Sequence, residues 1–74
     1  MKIQFALPPG FADRTFVCPL SWPVPRVGEA VTLLDNDGPT RFRIGPTWLV
    51  VDVLWSYQPA DAEPTVIIKL HPEG

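Results

Sequence analysis

The chain has 74 residues, six basic and eight acidic side chains, one cysteine and one histidine, and 46% apolar residues. That length holds one domain, spanning 1–74, and a net charge of −2 without a basic block lacks the footprint of a dedicated binder of nucleic acid or anionic lipid. A lone Cys18 excludes an internal disulfide, and Cys18 with His71 cannot complete a tetrahedral zinc site.

Ten prolines fence the chain into short runs rich in β-branched and aromatic residues. Proline lacks a backbone N–H and has a fixed φ, so it bounds strands and cannot sit inside helices or central strands. Lys2–Leu7 alternates, with Ile3, Phe5 and Leu7 on one face and Lys2, Gln4 and Ala6 on the other, which predicts a half-buried strand. Pro8-Pro9-Gly10 ends it in a turn. Ala12–Cys18 is the second predicted strand, with Phe16 and Cys18 on one face and Cys18 as a small buried apolar group.

Pro19–Pro25 places three prolines in seven residues and predicts an extended, polyproline-II-like crossover. Arg26–Leu34 turns at Gly28 and runs on as a strand with Val31 and Leu33 inward. Asp35–Pro39 has hairpin-turn chemistry, and Arg41–Ile44 follows with Phe42 and Ile44 inward and both arginines outward. Gly45-Pro46 then kinks the chain.

Thr47–Gln58 is the longest segment. Leu49, Val51, Val53, Trp55 and Tyr57 form a wholly apolar face, assigned to the core with Trp55 and Tyr57 in it. The opposite face holds Trp48, Val50, Asp52, Leu54 and Ser56. A strand apolar on both faces suits one that curves around a small barrel. Pro59–Pro64 is a predicted loop, and Thr65–His71 a closing strand with Val66, Ile68 and Leu70 inward. No stretch of ten residues free of proline has helical apolar spacing, so the expected fold is an all-β barrel of about five to six short antiparallel strands without a substantial helix.

Pro25–Glu29 (Pro-Arg-Val-Gly-Glu), Phe42-Arg-Ile44, Val50–Trp55 and Val66–Leu70 together resemble elements of small SH3-like β-barrel proteins of bacteria and phages. The resemblance covers Pro25 to Leu70. It implies an SH3-like barrel and no particular activity, because one fold hosts many functions.

Catalytic constellations are absent from the pattern. His71 falls on the solvent side of a strand end, and Ser21 and Ser56 have no activating neighbour. Asp35 and Asp37 read as turn residues, because a calcium loop starting at Asp35 would place Pro39 and Pro46 at ligand positions. Asp52 is expected to pair with Arg41 or Arg43 across strands. No enzyme and no cofactor are expected.

Aromatic surface is the strongest lead. Trp22, in the crossover, and Trp48, opposite the core face, are the candidate interaction surface, with Arg41 and Arg43 on its rim; Trp22 reads equally as a lid folded over the open end of the barrel. The expected function is a non-enzymatic protein-binding or self-associating module, its partner another protein or a second copy. The alternative is a weak nucleic-acid binder using Arg41, Arg43, Lys69 and Trp48. Ile3–Leu7 is too short for a targeting segment, and the longest apolar run, Trp48–Val51, ends at Asp52. The expected location is therefore the cytoplasm of a bacterium or phage-infected cell, away from the membrane.

Overall fold

Each run bounded by proline or glycine becomes extended chain in the computed structural model, which describes residues 1–59 and 63–73. The strands are β1 (Lys2–Ala6), β2 (Arg14–Val17), β3 (Ala30–Val31), β4 (Leu34–Asp37), β5 (Thr40–Arg43), β6 (Trp48–Ser56) and β7 (Thr65–Pro72). No helix is present among the described residues, and hence none long and apolar enough to cross a membrane. The predicted loop at 59–64 falls partly outside the described residues.

Five strands form one sheet in the order β2-β1-β7-β6-β3, and β4 and β5 form a second. A single bent ladder joins the two sheets. Val31 pairs with Trp48, the Ile44 amide donates to the Leu33 carbonyl at 2.9 Å, and Leu34 then pairs with Arg43. The sheet curls into a half-barrel with the small sheet beside it.

Seven strands replace the expected five to six because Thr32-Leu33 bends one predicted strand into β3 and β4. The predicted turn at Asp35–Pro39 shrinks to Gly38-Pro39, the two residues between paired Asp37 and Thr40. Gly38, at φ +60°, supplies the left-handed conformation that a two-residue hairpin loop requires. The antiparallel expectation fails at one ladder, where β1 pairs with β7 in parallel. No hairpin connects these strands; they come from opposite ends of the sequence, so turn geometry does not dictate their direction.

The core gathers the inward residues of the three central strands of the curl, β1, β7 and β6. Ile3 and Phe5 of β1, Trp48 and Val50 of β6, and Val66, Ile68 and Leu70 of β7 are buried, together with Met1, Cys18, Leu33 and Ile44. Burying each such side chain is worth about 1.5–3 kcal/mol, and no polar or charged residue is buried among them. The predicted inward sets of β1 and β7 and the buried Cys18 stand as expected.

β6 departs from its predicted phase. A bulge between Val50 and Asp52 leaves Val51 without a partner, since Val50 pairs with Leu70 and Asp52 with Lys69. Before the bulge the Trp48–Val50 face is inward; after it, Val53 and Trp55 lie opposite the buried Ile68 and Val66. One extra residue shifts the side-chain alternation by one position. Val51 is therefore exposed, while Val53 and Trp55 keep the inward phase expected of them; Trp55, near the strand end, is nevertheless only partly covered, and Tyr57, beyond the strand end, is 76% exposed. The last two were expected in the core.

Phe42 is also exposed, because all four residues of β5 lie on a hairpin that projects past the main sheet. Asp52 stands across from Lys69 instead of meeting Arg41 or Arg43, and its Oδ1 accepts from the Val53 amide at 3.0 Å.

Candidate interaction surface

The half-barrel is open along one side, between its edge strand β2 and the bent β3–β4 strand. No Cα of β2 lies within 8 Å of a Cα of β3 or β4, whereas directly paired strands sit about 5 Å apart. Between these edges runs a groove of about 570 Å³. Its floor includes the core residues Ile3, Phe5, Cys18 and Leu33, and Phe16 and Trp22 stand at its rim.

Local sequence explains why the opening exists. Pro19 follows β2 almost at once and turns the chain: the Trp22 amide donates to the Pro19 carbonyl at 3.1 Å. Pro23 and Pro25 then hold the crossover extended along the end of the groove. A crossover without free N–H groups at those positions does not pair with β2, so the strand keeps an open edge. Phe16 packs edge-on against Phe5 with ring centroids 5.8 Å apart, which turns one aromatic side chain of β2 toward the groove.

At the far end one side-chain contact crosses the gap: Arg14 Nη1 lies 3.4 Å from Asp35 Oδ2. The Nε of Arg14 is buried and has no hydrogen-bond acceptor among the described residues. Asp13 and Asp37 are exposed at the neighbouring ends of β2 and β4. Asp13 Oδ1 accepts from the Leu7 amide at 3.0 Å.

A second apolar area lies on the other side of the crossover. Val24, Pro25, Val27, Val53 and Trp55 border a shallower hollow, and the Trp55 and Tyr57 rings stack with centroids 6.4 Å apart.

The four residues expected to form the surface do not come together. Trp22 is 57% exposed and lines the groove. Trp48 is 0% exposed and offers no surface. Its ring packs edge-on against Phe11 and its Nε1 donates to the Ile44 carbonyl at 2.9 Å. The cause is the phase of β6 described above. Arg41 and Arg43 stand on β5, which flanks β4 on the side away from the groove, and Arg43 Nη2 donates to Thr47 Oγ1 at 2.9 Å.

Sequence reasoning missed Phe16 and Leu34 as groove residues. Periodicity marks which face of a strand is apolar, but which edge stays unpaired depends on partners distant in sequence.

Chemistry-bearing side chains stay dispersed. Cys18 faces the groove floor, whereas His71 is exposed, pairing opposite Leu49 at the end of the β6–β7 ladder. Among the described residues no three His, Cys, Asp or Glu side chains converge as metal ligands would.

No protein-family model matches the chain, and comparisons with curated proteins and with solved structures find no match either.

Proposed function

We propose that this protein is a non-enzymatic binding module, an SH3-like small barrel that holds another polypeptide chain or a second copy of itself in the cytoplasm of a bacterium or phage-infected cell. One observation carries the reading: the side of the half-barrel between β2 and β3–β4 is an apolar groove that reaches core side chains and is rimmed by Phe16 and the exposed Trp22. Exposed apolar surface that continues into a core is characteristic of sites for association. Tryptophan at such a rim supplies a large contact area with few rotatable bonds.

The nucleic-acid alternative would rest on Arg41, Arg43 and Lys69 without Trp48, whose buried ring is not available for base stacking. A net charge of −2 further disfavours a polyanion.

Sedimentation velocity across a hundredfold range of protein concentration, with panning of a peptide library against the immobilised chain, tests the proposal. Self-association or peptide capture that Trp22→Ala weakens supports it. A monomer at every concentration that captures no peptide refutes it.

A further inference from the structure

We infer that the groove takes one extended strand of a partner polypeptide, inserted between β2 and β3–β4 and hydrogen-bonded to both. This deepens the binding-module reading and rests on it.

The hydrogen-bond phase of the two edges carries the inference. Residues of an antiparallel pair alternate between those that bond to their neighbour and those that point away. The Cys18 amide donates to the Met1 carbonyl at 2.9 Å, so Cys18, Phe16 and Arg14 direct their main-chain groups toward β1. Thr15 and Val17 then direct theirs to the open side, and neither amide has a partner among the described residues. Across the gap, the Ile44 amide bonds to the Leu33 carbonyl, so Leu33, Asp35 and Asp37 face β5. Thr32, Leu34 and Asn36 face the opening, with the Asn36 amide already taken by Asp35 Oδ1 at 2.8 Å. Two ladders of free donors and acceptors therefore border the same apolar floor.

No Cα of β2 lies within 8 Å of a Cα of β3 or β4, so the two edges are not paired with each other; one strand between them would span about 10 Å, twice the normal neighbour spacing. β2 carries one charge, Arg14 at its start, and no proline or lysine, and Val17 on its open side is 77% exposed. Unpaired edges with so little protection are templates for strand addition. A second copy cannot fill the gap with its own β2, because that strand already bonds to β1 on one side and would have only one edge left for two neighbours.

The lining states the chemistry of the occupant. Every second side chain must be apolar to meet Ile3, Phe5 and Leu33 on the floor.

The test uses the full chain and a library of random ten-residue peptides displayed on phage, followed by a synthetic copy of the enriched sequence. The expected peptides alternate apolar and polar residues. Their binding should slow hydrogen exchange at the amides of Thr15, Val17, Thr32 and Leu34. Val17→Pro removes one outward N–H and leaves the bonds to β1 untouched, so it should weaken binding about tenfold with the far-ultraviolet circular dichroism unchanged. If that variant does not fold, exchange in the unaltered protein decides alone. Peptides that bind without protecting those four amides overturn strand insertion while leaving a Trp22-centred binding module standing. Protection of Thr15 and Val17 alone, caused by self-association, also overturns it. Absence of any association removes both readings.

Discussion

Trp48 lies directly against Gly45: a methyl group built on that glycine would come within 2.5 Å of Trp48 Cζ2 and 3.0 Å of Phe11. The contact locks the kink between β5 and β6 to the largest side chain of the core. Gly45 also has φ +65°, a conformation that costs other residues energy. Gly45→Ala should therefore destabilise the protein by more than the roughly 1–2 kcal/mol of the backbone term alone. Gly10→Ala, at φ +99° with open space around it, is the matched control and should pay only for the backbone. Urea titrations of the two variants compare them; equal losses would mean that the Trp48 contact contributes nothing.

Removing the Trp48 ring should be close to lethal for the fold. Trp48→Ala empties the centre of the core and leaves the Ile44 carbonyl without its indole donor. A loss of about 3–5 kcal/mol is typical for such a truncation and is comparable with the whole stability of a small domain. Thermal unfolding followed by circular dichroism should show no cooperative transition above room temperature. A melting point within a few degrees of the parent would contradict the burial of this ring.

The bulge in β6 gives a pair of opposite expectations at adjacent residues. Val50 is 1% exposed and Val51 41% exposed. Val50→Asp would bury an unpaired charge and should abolish folding, whereas Val51→Asp should change stability by no more than about 1 kcal/mol. Expression and unfolding midpoints of the two variants, compared side by side, locate the phase of the strand. The reverse pattern would place the apolar face where alternation alone puts it.

Trp22 should separate binding from stability. Its side chain is more than half exposed at the groove rim, so Trp22→Ala should cost under about 1 kcal/mol of folding energy. The same change should weaken association at least about tenfold, in keeping with a tryptophan at an interface centre. Unfolding curves and binding titrations on one preparation report both quantities. A loss of several kcal/mol with unaltered binding would make Trp22 a lid.

The Arg14–Asp35 contact should matter little to the free protein. Both side chains are partly exposed and the closest atoms are 3.4 Å apart. Asp35→Asn should shift stability by about 0–1 kcal/mol, less at high salt. Denaturation at low and high ionic strength measures it, and a salt-independent loss of several kcal/mol would show that the ion pair holds the two edges together.

How much of this was legible beforehand depends on the distance over which each feature is decided. Proline and glycine act on their own φ and proline also on the residue before it, so the all-β class and most strand limits were readable from single residues; the crossover expected to be extended over 19–25 instead turns at Pro19–Trp22, where the Trp22 amide bonds to the Pro19 carbonyl. Clean alternation in Lys2–Leu7 and Thr65–His71 likewise assigned Ile3, Phe5, Val66, Ile68 and Leu70 to the interior. For Trp22 the residues left two readings, a lid over the open end of the barrel or exposed contact surface, and its 57% exposure is known only from the structure.

What the residues could not reveal in order was the bulge after Val50, which depends on how β6 seats against β7. Both faces of β6 are apolar, so alternation had two solutions, and only packing around Trp48 selected one. The open edge of β2 is likewise a tertiary fact. A strand's spare hydrogen bonds border a groove only when a second unpaired edge, here β3–β4, lies across from it, and that placement is set by the curl of the whole sheet.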